Sequence, residues 1–223
     1  MTAGDELSQV TLEHFRLEAA GQHPMPAGVA IAAVSAGFAL ALAAKVVGVS
    51  SRRSTLPADA ARLGPLTAAA QAASQRMLQL AGDDVAAFGA YLTARRLPHS
   101  TESEGQARQQ AIDSAIRRAV DVPLAAAHEA AAGLQLCDEL SAFTPPALVA
   151  DLGVIASLLA SALRGFLLCA ESNVRNLAPD IASLRARVAT EAQRHAPAFG
   201  IAEAVLERTR AALEGVEVPR SEP

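Results

Sequence analysis

Apolar positions recur at three- and four-residue spacing along nearly the whole chain, interrupted only by prolines and short polar stretches. That period belongs to helices, not strands. Thr11 to Ala20 reads as a short amphipathic helix with Leu12, Phe15 and Ala19 on one face, ended by Gly21 and the loop QHPMP. A second helix runs from about Ala27 to Val49, and the polar loop SSRRSTLP follows it. The third starts near Ala58 or after Pro65 and stops at about Arg96, before Leu97-Pro98. Thr101 opens the fourth with a capping box, since Glu104 stands three residues on, able to reach back to the first amides. Pro123 is expected to kink or divide that helix near Asp121-Val122, because proline removes a backbone donor and crowds the preceding turn. After a loop around Ser141 to Pro145, an apolar helix covers Pro146 to Asn173. The last helix begins near Pro179, breaks or kinks at Pro197 and fades after Glu214-Gly215 into the polar tail VEVPRSEP.

Composition sharpens this picture. Only 3% of the 223 residues are aromatic, and alanine dominates every long segment. Small side chains let helices approach closely, so the expected fold is an all-α, mainly antiparallel multi-helix bundle in a single domain spanning 1–223, with a core shared between subunits. The net charge of −4, with no basic block, argues against nucleic acid as a partner. Cys137 and Cys169 have neither CxxC nor Cys/His spacing, and the five histidines form no HxH or HxxxH pair, so no metal site is expected. No P-loop or GxGxxG occurs, which leaves nucleotide binding unsupported. The acidic, polar start MTAGDELSQV is unlike a signal peptide, and a cytoplasmic protein is expected. Ala27 to Ala44 carries no charge, and about 18 residues is the lower limit for a membrane span. Its many alanines, with Gly28, Ser35 and Gly37, fit a buried soluble helix better, so no membrane is expected.

Candidate chemistry lies where charge interrupts apolar faces. Asp83 and Asp84 follow Gly82 in an Ala- and Leu-rich helix. By i±3, i±4 and i±7 spacing, Asp84 shares its side with Met77, Leu80, Ala81, Ala87, Phe88 and Tyr91. A carboxylate there must find a partner, or its pKa rises towards the range useful for acid–base catalysis. Arg108, with Ala111, Ile112 and Ala115 on its side, is either the counter-charge for such an aspartate, a clamp on a ligand carboxylate, or a solvated arginine with its stem on apolar surface. Asp151 precedes Val154, Ile155 and Leu158 and equally suits a helix N-terminal turn. Lys45 is the lone charge between Pro24 and Arg52, and it either snorkels or pairs with a buried carboxylate.

Several stretches, in order, resemble one family: HPMPAGVAIAAVSAGFALALAAKVV near the start, DDVAAFGAYLTARRLP at Asp83 to Pro98, and Arg108 with its run to AVDVPL. ADLGVIASLLASALRG at Ala150 to Gly165 and Asn173 to Leu177 continue the match. The set is similar to the cyclodeaminase domain of formiminotransferase-cyclodeaminase and to its stand-alone relative, methenyltetrahydrofolate cyclohydrolase. The resemblance implies an intimate helical homodimer with a folate site and no metal or nucleotide. A tetrahydrofolate derivative would be the substrate, either 5,10-methenyltetrahydrofolate hydrolysed to 10-formyltetrahydrofolate or formiminotetrahydrofolate cyclodeaminated. It also implies roles: Asp84 as acid–base, Arg108 orienting it or holding a ligand carboxylate, and Asp151 by the pterin, with Gly28 and Asn173 in substrate binding. The chain departs from the family where a Pro-Gly-Gly-Gly-Ser turn becomes Pro26-Ala27-Gly28-Val29-Ala30, where a Ser becomes Ala150, and where an Asn becomes Cys169. Those changes support a second reading, a dimeric binding or structural paralogue without turnover. A third is an enzyme for another pterin or imine, with Lys45 supplying a new charge.

Overall fold

The structure, a computed structural model, describes residues 9–54, 56–177 and 181–215. The acidic start, Pro179 and the VEVPRSEP tail fall outside them. The chain forms α1 (Leu12–Ala19), α2 (Gly28–Arg53), α3 (Pro57–Arg95), α4 (Glu102–Ser141), α5 (Val149–Leu177) and α6 (Ala182–Leu213), with one 3-10 turn at Pro146–Leu148. No strand occurs among the described residues. Local chemistry explains the ends. Thr11 caps α1 through its hydroxyl, which accepts from the His14 amide. The capping box before α4 closes both ways, with Thr101 Oγ1 accepting from the Glu104 amide at 3.2 Å and Glu104 Oε2 accepting from the Thr101 amide at 3.0 Å.

Pro65, Pro123 and Pro197 all stand inside continuous helices, so the divisions expected at Pro123 and Pro197 do not occur. The reason differs with burial. Pro65 and Pro197 are exposed, as are Ala61 and Gln193 four residues earlier, so water can take the carbonyls that each proline leaves without a helical donor. Pro123 is buried, and the carbonyl it leaves, on Ala119, needs a donor from the protein. Asn173 of α5 supplies one, its Nδ2 donating to Ala119 O at 2.7 Å. The expected apolar face of α1 is also corrected: no residue of α1 is buried, and Leu12 is 65% exposed.

Backbone proximity separates two compact units. The described residues of Met1–Val34, Leu78–Ala127 and Arg164–Gln193 form the first; those of Ser35–Met77, His128–Leu163 and Arg194–Pro223 form the second. The boundaries fall inside the five long helices, not in linkers. In the first unit, Ile116, Val120 and Leu124 of α4 pack with Ala170 and Val174 of α5 and with Leu184 and Val188 of α6. In the second, small residues set the spacing. A Cβ on Gly133 would lie 3.0 Å from methyls of both Leu40 and Leu159, and one on Gly153 would lie 2.9 Å from Thr209 Cγ2. Leu40, Leu63, Met77, Leu134 and Leu159 are fully buried there, each side chain contributing about 1.5–3 kcal/mol of transfer free energy. By length and composition alone, α2 and the segment Pro146–Leu177 are apolar enough to cross a membrane, and 50% and 44% of their apolar windows are buried inside the protein.

Candidate active site

Asp84 lies in the C-terminal third of α3, on the side that buries Met77, Leu80, Ala81 and Ala87, and is itself only 7% exposed. Its neighbour Asp83 does the opposite. Half exposed, it accepts from Arg118 Nη2 of α4 at 2.9 Å, an ordinary surface ion pair. The two carboxylates that interrupt the helix therefore have separate fates, set by the 100° turn between successive residues.

Loss of water pushes the Asp84 carboxyl up from the ordinary 3.8 to about 6, because burial penalises the charged form. One group opposes this: the backbone N–H of Ala30 donates to the carboxylate. Ala30 is the third residue of α2, and the first ladder bond of that helix runs from the Ile31 amide to Ala27 O at 3.0 Å. The amides of Gly28, Val29 and Ala30 thus precede the ladder, at the positive end of the helix dipole. Asp84 caps that end from another helix.

Cys169 of α5 completes the cluster. It is partly buried, and its thiol is pushed up by burial first and by the Asp84 charge second, so it stays protonated at neutral pH. Its sulfur packs against the α2 terminus, since a Cβ on Gly28 would lie only 3.1 Å away. This clarifies the altered turn. Val29 and Ala30, which replace the family's glycine and serine, place their side chains in the interior at 4% and 0% exposure. Glycine is retained at the position where a side chain would crowd the Cys169 sulfur. Cys169 had registered in the sequence only as a lost asparagine, and its proximity to Asp84 has no local signal, because 85 positions of chain separate them.

Of the other expected site residues, the two in the first unit have hydrogen-bond partners of their own. Arg108 donates from Nε and Nη2 to Arg95 O, at 3.3 and 3.2 Å, and so caps the C-terminus of α3 instead of serving as the counter-charge of Asp84. Asn173 is engaged with the Ala119 carbonyl. Asp151 is half buried in the first turn of α5, in the second unit, where the helix dipole favours it. Lys45, also in the second unit, is exposed and faces an open groove of about 650 Å³ with Gln71, Ser74 and Gln75. Among the described residues no three His, Cys, Asp or Glu side chains converge to hold a metal.

In chemical terms, the first unit offers a buried carboxyl whose pKa is pushed up to about 6, next to the first turn of α2, where Gly28 is exposed. Such a group can take a proton from water or give one to a leaving amine. A cation brought against it meets a charge that little solvent screens.

The family model for formiminotransferase-cyclodeaminase matches residues 11–194. The formimidoyltransferase-cyclodeaminase of Sus scrofa is 30% identical over 192 residues, which cover 84% of this chain and 36% of that protein. The methenyltetrahydrofolate cyclohydrolase of Methylorubrum extorquens is 32% identical over 123 residues, covering 55% of this chain and 57% of that one. The chain therefore spans between a third and three fifths of the length of these relatives. In fold, a crystal structure of formiminotetrahydrofolate cyclodeaminase from Thermotoga maritima matches with a TM-score of 0.77 at 21% identity, over 94% of this chain and 98% of that one. With the family model matched over most of its length and low identity to the relatives, this chain belongs to the formiminotransferase-cyclodeaminase family, as a divergent member.

Proposed function

We propose that this protein is a folate one-carbon enzyme that hydrolyses 5,10-methenyltetrahydrofolate to 10-formyltetrahydrofolate or cyclodeaminates formiminotetrahydrofolate. One observation carries the proposal: Asp84 is buried against the first turn of α2, where burial pushes its carboxyl up to about 6 against the opposing Ala30 amide. In hydrolysis, the ionised carboxylate stabilises the amidinium carbon that bridges N5 and N10 and takes a proton from the attacking water. The C–N5 bond of the resulting carbinol then breaks, N5 receives the proton held by Asp84, and the carbinol proton leaves to solvent. In cyclodeamination, N10 attacks the formimino carbon and its own proton passes to the imino nitrogen, protonated Asp84 supplies the second proton, and the C–N bond to the departing ammonia breaks. The names of the two curated relatives denote these two reactions. The family resemblance gives Arg108, Asp151, Gly28 and Asn173 supporting parts in binding, and Lys45 would supply a charge to the site only if the substrate were another pterin or imine. Of these, Gly28 stands in the Asp84 cluster.

The homodimer belongs to the same proposal. Its support is the exposure of large apolar side chains, Ile31 and Phe38 on α2 and Val154, Leu158 and Leu168 on α5, which an isolated chain leaves in water. Sedimentation equilibrium that returns the mass of one chain at micromolar concentration refutes it.

The activity test follows the absorbance of methenyltetrahydrofolate, corrected for its spontaneous loss, and in parallel the appearance of methenyltetrahydrofolate from the formimino compound. Wild type accelerates one of the two, and Asp84→Asn lowers that rate by about 100-fold or more. Wild type that accelerates neither reaction overturns the proposal. Binding without turnover, seen by calorimetric titration, points instead to the non-catalytic paralogue.

A further inference from the structure

The side of α3 that carries Asp84 continues past it in a run that the proton chemistry leaves unused. Phe88, Tyr91 and Arg95 follow at four, seven and eleven residues, the spacing of one helical face. Aromatic side chains are scarce in this chain, yet two stand together here, one of them its only tyrosine. Their ring centroids are 6.2 Å apart at 40°. Tyr91 is braced from within by the cluster that holds Ile116, Val120 and Val174, and both rings keep part of their surface in water. Arg95 is exposed, and its guanidinium carbon lies 5.9 Å from the centre of the Tyr91 ring, so the side chain folds back along the helix. Arg76, Arg118, Arg187 and Arg208 each pair with a carboxylate. Among the described residues none pairs with Arg95, which leaves its charge open to a ligand. At about 1.5 Å per residue, the level of Tyr91, and with it the Arg95 guanidinium, stands about 10 Å along the axis from Asp84. In a folate, an aminobenzoyl ring and an amide separate the reacting one-carbon unit from the glutamate α-carboxylate, a span of about 10 Å at standard bond lengths.

We propose that Phe88, Tyr91 and Arg95 hold the aminobenzoyl-glutamate arm of the substrate: the aminobenzoyl ring packs on the two aromatic side chains, and the Arg95 guanidinium takes a glutamate carboxylate, while the one-carbon unit lies at Asp84. The proposal rests on the folate-enzyme reading and adds to it a residue for the acidic end of the ligand. Aromatic rings give a flat partner both area and a preferred geometry. A guanidinium already held on a ring gives up less side-chain freedom when it meets a carboxylate, and its planar fork matches the two oxygens. Arg108 is less suited to that task, because its Nε and Nη2 donate to the Arg95 carbonyl.

The test is calorimetric titration with two stable ligands, 5-formyltetrahydrofolate and 5-formyltetrahydropteroate, the second lacking the glutamate. Wild type binds the folate about tenfold or more tightly than the pteroate. Arg95→Gln weakens the folate by about 10- to 100-fold, the range for a lost charge-assisted hydrogen bond, and leaves the pteroate within about twofold. Arg95→Lys, which keeps the charge without the fork, recovers part of the loss. Tyr91→Leu weakens both ligands alike, since both carry the aminobenzoyl ring. Where wild type turns over methenyltetrahydrofolate, Arg95→Gln raises KM and leaves kcat nearly unchanged, because the arm is bound equally in the ground and transition states. Wild type that binds both ligands with equal affinity overturns the proposal and leaves the folate reading standing, as does an Arg95→Gln that weakens both equally or neither. Wild type that binds neither ligand overturns both.

Discussion

Changing pH across the Asp84 titration should change stability in a direction that few carboxylates give. The folded-state value is raised, so the native protein holds this proton more tightly than the unfolded chain. The stabilisation is complete below the unfolded value of 3.8 and is lost as pH rises through about 6. At about 1.36 kcal/mol per pH unit, the interval from 3.8 to about 6 corresponds to about 3 kcal/mol in all. About 1.4 kcal/mol of it falls between pH 5 and pH 8. Asp84→Asn isolates this contribution, because the amide oxygen still accepts from the Ala30 N–H while nothing titrates. The assay is urea unfolding of wild type and variant at half-unit pH steps from 5 to 8, compared as the difference in free energy between the two proteins at each pH. Groups common to both proteins cancel in that difference. Relative to wild type, the variant should gain about 1.4 kcal/mol between pH 5 and 8, steepest at the acid end and levelling off above about pH 7. A difference that stays flat within about 0.3 kcal/mol, a resolution well below the expected change, refutes the burial argument. A difference of opposite sign shows that an unrecognised donor or cation stabilises the carboxylate.

Two further predictions concern the packing that supports the site. Asn173→Ala removes the donor for the Ala119 carbonyl and should cost about 1–3 kcal/mol in denaturant unfolding, falling below about 1 kcal/mol in a Pro123→Ala background, where the new amide at 123 serves Ala119 itself. Equal costs in both backgrounds rule out the proline explanation. Gly153→Ala forces its methyl to 2.9 Å from Thr209 Cγ2 and should cost about 1–3 kcal/mol, and Thr209→Ala should recover most of the loss, as thermal unfolding of the four proteins will show.

What the sequence disclosed followed from what is local. The 3.6 period, the Thr101-Glu104 box and the Pro98 stop placed the ends of the helices to within a few residues, because each depends on side chains one turn apart. The burial of Asp84 was legible in the same way, from Met77, Leu80, Ala81 and Ala87 at helical spacing. Partners were not. Nothing near Arg108 announces that it caps Arg95 across the α3–α4 turn, since an arginine on an apolar face suits several partners equally. Pro123 was read as a kink or a division because local reasoning counts only the hydrogen bond lost. The donor that compensates comes from Asn173, 50 positions later, and only packing brings it there. For the same reason Val29 and Ala30 read only as departures from the family's glycine-rich turn, until their burial shows their methyl groups turned into the interior.

The position of Asp84 also argues for function on energetic grounds alone. Domains of ordinary size are stable by about 5–15 kcal/mol, so a carboxylate that destabilises the folded state by about 3 kcal/mol at pH 8 withholds a sizeable share. Asparagine would fit the same space, keep the Ala30 hydrogen bond and remove that penalty. Structural need therefore does not account for an ionisable group here, while proton transfer does, because an amide cannot exchange a proton at neutral pH. Two measurements on one variant close the argument. If Asp84→Asn is more stable than wild type at pH 8 and has lost turnover, stability has been given up for chemistry at this position. If it is more stable and binds a folate as wild type does, with neither protein turning over, the carboxylate has no catalytic use in this chain.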